Sequence, residues 1–409
     1  MQHNTFELVK DVFWVGVNDY DLRVFDIIME TKYGTTYNAY LIKGSEKTAL
    51  IDTTKASFGE EFIAKIKSLT DISKIDYLIL NHTEPDHSGS VERILDLNPE
   101  ITIIASGPGL SNLKKIVNRP FKSVRATEEL AISLGDKTLK FMIQPNLHWP
   151  DTIFTHLIED NILFTCDFFG SHYAFEGVLL KNVRDKAEFN ESFKYYFDSI
   201  MSPFKASVRK ALDAISGLKL RYVATSHGPV LDEEDLEEAK ELYRRWAEEK
   251  EAGRLKMVIA YASAHGYTKK IAEKIQEGIE AVSQGKFDVI LYDAVTTPLG
   301  EIVSEIEKAD AFLIGSTTIL RDAPKPIWDI LSSLNPEIHS GKLAGAFGSY
   351  GWSGEAVKNI SERFSQLKMR IVEGLRIRFN PSEQQGMEIR KFGEEFARQL
   401  LYSNEKSEP

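Results

Sequence analysis

The sequence predicts an α/β protein of two domains in series, the second built on a doubly wound parallel sheet. Three observations carry this. A chain of 409 residues with 43% hydrophobic and 27% charged side chains is globular and too long for one ordinary core. The charge balance breaks near 250: of the net −11, residues 1–253 hold −10 and residues 254–409 hold −1. Before that point short β-rich runs dominate, and after it strands alternate with helices. The expected domains are therefore 1–250 and 254–402, with a polar tail, 403–409, expected to fray.

Composition removes several classes of function. An acidic chain is a poor match for nucleic acid or an anionic membrane surface. The one cysteine, Cys166, leaves no intramolecular disulfide and no thiolate-only metal centre, and it suits a reducing cytoplasm. No run approaches the roughly 18 uncharged apolar residues of a membrane span. The start, Met1-Gln-His-Asn-Thr-Phe-Glu, lacks the basic and apolar blocks of a signal peptide. The expectation is a cytoplasmic protein with no nucleic-acid or membrane partner.

In the first half, strands are expected at Val12–Val17, Asn38–Ile42, Thr48–Asp52, Tyr77–Leu80, Ile101–Ala105, Phe141–Gln144, Ile162–Cys166 and Tyr222–Thr225. A helix is expected over Phe58–Leu69. The densest chemistry follows Tyr77–Leu80, in Asn81-His82-Thr83-Glu84-Pro85-Asp86-His87-Ser88. Alternate residues of an extended chain point the same way, so His82, Glu84 and Asp86 can converge on one locus. His87 would turn toward a second locus as a helix begins, and Pro85 is expected to keep the segment out of an early helix. Three more polar residues follow strands: His148, Asp167 and His227. Any one of them alone reads as a turn or cap residue, and Asp86-His87-Ser88 alone reads as a helix N-terminus. Jointly they place four of the nine histidines on strand ends beside three carboxylates. That is too many donors for one tetrahedral ion and suits two ions bridged by a carboxylate.

The domain boundary falls after a charged helix, Asp232–Glu251, with Leu236, Leu242, Tyr243 and Trp246 on one face and Gly253 as its terminator. Strands then follow at Lys256–Tyr261, Asp288–Tyr292, Ala311–Ile314 and Leu343–Phe347, with a last one near Arg370–Arg378. The first strand opens into Ala262-Ser263-Ala264-His265-Gly266-Tyr267-Thr268 and a helix from Lys269, a turn able to present backbone N–H groups to a phosphate. Two later strands end in Ser316-Thr317-Thr318-Ile319 and in Ser349-Tyr350-Gly351-Trp352-Ser353-Gly354. Three such loops at the carboxyl ends of a doubly wound sheet form its ligand crevice. Tyr350 or Trp352 could stack on a flat ring there, or serve only as core or lid aromatics.

The motif His-x-Glu-x-Asp-His over 82–87, followed by His148, Asp167 and His227, resembles the metallo-β-lactamase fold. Its Glu84 makes it similar to the flavodiiron proteins, the A-type flavoproteins that act as rubredoxin:oxygen or nitric oxide oxidoreductases. The second half resembles flavodoxin. Its first loop departs from the usual Thr-x-Thr-Gly-x-Thr by carrying Ser263, His265 and Tyr267. The resemblance implies an N-terminal αββα sandwich followed by a flavodoxin-like doubly wound parallel sheet, holding two non-haem iron ions and FMN. One iron would take His82, Glu84 and His148, the other Asp86, His87 and His227, with Asp167 bridging. His87 is the ligand that some members replace with solvent. The family's activity is reduction of dioxygen to water, of nitric oxide to nitrous oxide, or both. It also implies a head-to-tail homodimer. The one cysteine leaves no room for a rubredoxin module in these residues, so electrons would come from an external rubredoxin, a reduced deazaflavin or a separate reductase.

Further candidates near the metals are His172 and the helical pair Tyr195 and Tyr196, each of which could serve the site or only pack. Trp149 is expected to fix the loop of His148, and Cys166 to pack as a small core residue. Two other readings compete: a dinuclear zinc hydrolase of the same fold, and a flavodoxin-like carrier whose first domain is scaffold.

Overall fold

A computed structural model describes residues 4–248 and 253–405. The chain divides into two compact units, Met1–Glu249 and Lys250–Pro409.

The first unit is a four-layer sandwich. One sheet has seven strands in the order Phe6–Val9, Val12–Trp14, Tyr40–Lys43, Thr48–Ile51, Tyr77–Ile79, Thr102–Ala105 and Lys122–Arg125. Its last four strands run parallel, so helices must cross over between them. The helices Gly59–Leu69, Val91–Leu97 and Gly107–Val117 do this. The second sheet has six strands: Ala131–Ser133, Thr138–Ile143, Ile153–Leu157, Ile162–Cys166, Tyr222–Thr225 and Leu231–Asp232. Its one parallel pair, Ile162–Cys166 with Tyr222–Thr225, is spanned by the helices Lys186–Tyr196 and Lys205–Ile215.

Period-two alternation assigns the faces. Ile51, Ile79 and Ile104 from the first sheet meet Phe141, Ile153 and Phe164 from the second in the central core. Their neighbours Leu50, Leu78 and Ile103 pack under the first helical layer with Phe62, Ile66 and Leu113. Phe154, Leu163 and Val223 pack under the second, with Phe193, Leu212 and Tyr243. The central strands of both sheets are thus packed on both faces.

The second unit is a five-stranded, wholly parallel sheet in the order Phe287–Asp293, Leu255–Ala262, Ala311–Thr317, Leu343–Tyr350 and Arg370–Arg378. Helices Tyr267–Ser283 and Glu383–Glu405 cover one face through Ile271, Ile275, Ile389 and Phe396. Helices Leu299–Lys308, Lys325–Ser333 and Glu355–Gln366 cover the other through Ile306, Ile330 and Ile360. Among the described residues, no helix is long and apolar enough to cross a membrane.

Several sequence expectations are corrected. Val12–Val17 is two strands in different sheets, Val12–Trp14 and Val17–Asp19. Pro85 does not delay a helix but opens one: it is the first residue of the single turn Pro85–Ser88, where a missing N–H costs nothing. The charged helix is shorter than expected, Glu233–Ala247, capped by Asp232, which accepts from the Glu234 and Asp235 amides. Its last residue is Ala247, with Glu248 at the C-cap, where Gly253 was expected as the terminator. The helix expected from Lys269 begins at Tyr267. The terminal helix runs to Glu405, past the start of the expected tail, whose remainder (406–409) lies outside the described residues, as do 249–252.

Candidate metal centre and flavin crevice

The segment carrying the first four donors is pinned before it reaches the site. Asp52 leaves strand Thr48–Ile51 with φ +55 and accepts the Asn81 amide at 2.8 Å and the Asn81 side chain at 3.2 Å. Burial pushes the Asp52 carboxyl up to about 7, against the opposing pull of His87. Asp151 accepts from the Thr83 amide at 2.9 Å, from its hydroxyl at 2.6 Å, and from His82 Nδ1 at 2.9 Å. That contact leaves Nε2 of His82 as the free donor atom, the carboxylate–histidine arrangement common behind metal sites. Likewise His227 Nδ1 donates to the Thr36 carbonyl at 2.6 Å.

All seven expected donors converge, and they form two groups. Glu84 Oε2 lies 3.2 Å from His82 Nε2 and 3.1 Å from His148 Nε2. Asp86 Oδ2 lies 3.0 Å from His227 Nε2 and 3.3 Å from His87 Nε2. Asp167 stands between them. Its Oδ2 is 3.9 and 3.8 Å from His82 and His148, and its Oδ1 is 3.2 and 3.4 Å from His87 and His227. Simple alternation along the strand would have put Asp86 with His82 and Glu84; the helical turn from Pro85 rotates it to the second group instead.

The carboxylates draw positive charge into the cluster. Burial alone would drive these groups neutral, but mutual pairing wins. Asp151 and Glu84 hold His82 well above the usual imidazole range, and Asp86 and Asp167 push His87 up to about 10. Burial of Glu84 and Asp167 is likewise outweighed, by His148 and His82 for the first and by His87 for the second, so both stay well below the usual carboxylate range. Both carboxylate oxygens of Asp86, Oδ2 of Asp167 and Nε2 of His87 are buried with no hydrogen-bond partner. Orphaned donors of this kind are what metal ions satisfy, and a set of three carboxylates and four imidazoles is hard enough to suit iron.

The neighbouring candidates separate cleanly. Tyr196 is buried, and its hydroxyl donates to Asp167 Oδ1 at 3.1 Å. Tyr195 is 42% exposed and takes no part, neither at the site nor in the core. His172 is buried against Phe25, Tyr196 and His227, with ring centroids 4.4, 4.9 and 5.2 Å away. Burial, reinforced by His227, holds its pKa well below the usual imidazole value. Trp149 sets its ring edge-on to His82 at 5.0 Å, and Cys166 is fully buried.

Sequence reading missed Asp52, Thr35, Thr36, Asp151 and Asp26. Asp26 sits at the tip of a small hairpin, Val24–Phe25 with Met29–Glu30. Burial, a hydrogen bond with Glu84 and that group's charge push its carboxyl up to about 7. Asp151, three positions after His148, had a usable signal: histidine ligands need a carboxylate behind them.

In the second unit, strand register sets the three expected loops side by side: Ala262 pairs with Ser316, and Thr317 with Ser349. Gly266 takes φ +77 just before helix Tyr267–Ser283, whose first amides have no side-chain cap. Ser263 Oγ beside it is buried without a partner, and Thr268 is buried in the first turn, so an anion has a place here. Ala264 and His265 are exposed, and Gly266 and Tyr267 half-buried. Ser316 is buried but turns its hydroxyl to the Thr317 carbonyl; Thr317 and Thr318 are half-buried and Ile319 exposed. In the last loop Ser349 is buried and Gly351 half-buried, the Tyr350 ring lies against Gly354, and Ser353 bonds to Glu355. Trp352 is 86% exposed, with Arg321 over its ring at 5.8 Å.

Comparison with known proteins matches residues 35–228 to the family described as ODP family beta lactamase and residues 259–393 to flavodoxin. The flavo-diiron protein FprA2 of Clostridium acetobutylicum is 43% identical over 398 residues, 96% of this chain and 99% of its own. The nitric oxide reductase of Moorella thermoacetica is 36% identical over 372 residues, 89% of this chain and 90% of its own. Among solved structures, the rubredoxin oxygen:oxidoreductase of Desulfovibrio gigas superposes with a TM-score of 0.72 at 26% identity, covering 98% of this chain and 99% of that one. With both domains matched in this order and nearly the whole length shared, the chain belongs to the flavodiiron (type A flavoprotein) family.

Proposed function

We propose that this chain is an oxidoreductase that reduces dioxygen to water, nitric oxide to nitrous oxide, or both, at a non-haem diiron centre fed through FMN. The observation that carries the reading is the placement of Asp167, one carboxylate oxygen toward each of two His/carboxylate groups. His82, Glu84 and His148 would hold one iron, and Asp86, His87 and His227 the other. FMN would lie in the crevice of the three loops, its phosphate at Ser263 and the amides before Thr268. Bound, the flavin and two ferrous ions supply the four electrons that take dioxygen to two waters, or the two that join two nitric oxides into nitrous oxide and water.

The chain's own part is to set the geometry. Asp151 and the Thr36 carbonyl aim two imidazoles, Tyr196 steadies the central carboxylate, and the buried rings of Phe25 and Tyr37 pack edge-on against His227. Convergence of all seven donors leaves the scaffold-only reading without support.

The reading extends to a head-to-tail homodimer and an external one- or two-electron donor such as rubredoxin or a reduced deazaflavin. Ile27 and Ile28, 94% and 82% exposed at the hairpin tip that carries Asp26, favour coverage by a second copy. Sedimentation as a monomer at micromolar concentration would remove that part. The lone thiol favours the cytoplasm.

The decisive experiment is anaerobic reduction followed by rapid mixing with each gas, reading flavin reoxidation and product. Oxidation by at least one gas, with two irons per chain, is expected. Protein that purifies with zinc and no flavin absorbance would instead favour a hydrolase.

A further inference from the structure

We propose that Thr35 is a positioning residue: its hydroxyl donates to Nδ1 of His172 and fixes that imidazole as the Nε2–H tautomer, a hydrogen-bond donor on the side of the ring away from Thr35. Thr35 Oγ1 lies 2.9 Å from His172 Nδ1, 3.3 Å from the Thr36 carbonyl and 3.5 Å from His227 Nδ1. A hydroxyl has one proton to give. His227 Nδ1 does not compete for it, because it is itself the donor to the Thr36 carbonyl, at 2.6 Å. The Thr36 carbonyl already takes that short bond and offers its second lone pair to the Thr35 hydroxyl only at the longer 3.3 Å. Of the two acceptors in reach, the closer one, His172 Nδ1 at 2.9 Å, is the one the hydroxyl serves.

The consequence falls on the far side of the ring. A neutral imidazole carries one proton, so an accepting Nδ1 puts it on Nε2. Nε2 of His172 is buried and has no partner among the described residues. The ring cannot swing to find one. Phe25 lies 4.4 Å away at 32°, Tyr196 stands edge-on at 4.9 Å, and the Ser192 hydroxyl holds the His172 carbonyl at 2.7 Å. The charged groups that act on it are His227, Asp167, Glu84 and His148, drawn from both donor groups. A buried N–H in this position calls for an acceptor, and an oxygen atom of the bound gas or of its reduction product fits. Protonation has a second effect: Nε2–H has no lone pair and cannot become an additional metal ligand. The identity of the acceptor rests on the proposed function; the tautomer does not.

The test therefore has two arms. In the first, the full-length chain is loaded with FMN and with zinc in place of iron, labelled with 15N-histidine, and examined by long-range 1H–15N correlation at neutral pH. His172 is identified by the signals lost in His172→Gln. A protonated Nε2 and a bare, hydrogen-bonded Nδ1 are expected; a protonated Nδ1 overturns the proposal. In the second, iron-loaded Thr35→Val is expected to lose about tenfold in gas turnover at unchanged iron content, with Thr35→Ser restoring it. In a His172→Gln background Thr35→Val should add nothing. An equal loss in both backgrounds, or a fall in iron content, places the effect on His227 or the fold and overturns the proposal. If Thr35→Val does not fold, the native spectrum still decides. If the native enzyme consumes neither gas, the proposed function fails while the tautomer is judged by the first arm.

Discussion

Asp167 is the residue on which most depends, because its two oxygens serve different groups of donors. Asp167→Ala should leave the fold intact yet lower iron below two per chain and abolish gas consumption, measured by metal analysis and an oxygen electrode. Tyr196→Phe removes only the hydroxyl at 3.1 Å. Iron content should hold while turnover falls by about tenfold. Asp151→Ala should weaken iron binding by about 10- to 100-fold in competition with a chelator, because His82 loses its support at Nδ1. The seven donors were legible because their types cluster where strands end. Tyr196 could also have been told from Tyr195: Phe189, Phe193 and Tyr196 fall at i, i+4 and i+7 and share a buried face. Asp26 was not legible, since nothing in residues 24–30 points to a partner nearly sixty positions away.

Elements were read well where burial and period agree and poorly where one residue changes the local geometry. The parallel sheet of the second unit was plain from its apolar strands. Val12–Val17 looked like one strand because its apolar run is unbroken, yet it serves two sheets. Pro85 was read as a breaker when its position made it a starter. The pair of helices Tyr267–Ser283 and Glu383–Glu405 shows what composition hides. A Cβ on Gly278 would lie 2.0 Å from the Arg390 carbonyl oxygen, and one on Gly393 2.3 Å from that of Ile275. Each glycine therefore lets two backbones touch. Gly278→Ala should cost about 1–3 kcal/mol of flavin-unit stability by thermal or denaturant unfolding. Iron content should not change.

At the scale of the whole molecule, two units with separate cores should unfold separately. Calorimetry of the full chain should resolve two transitions, and iron chelation should lower only the one assigned to the first unit. The charge balance changes near the division at Glu249–Lys250: the ten acids and four bases of Asp232–Glu251 give −6 of the first half's −10. What the sequence could not supply was the distances between donors, since they are strung from His82 to His227 and only the closed sandwich gathers them. That spread has a consequence for biosynthesis. His227 is made 140 positions after His87. At translation rates of about 5–20 residues per second, the early donors wait on the ribosome for about 7 to 28 seconds before the last one exists. During that interval the nascent chain offers a small cluster of imidazoles and carboxylates to whatever divalent ion is abundant. Loading with the right metal is thus a late event in the life of the polypeptide, and expression in zinc-rich, iron-poor medium should yield folded, flavin-bearing, inactive protein.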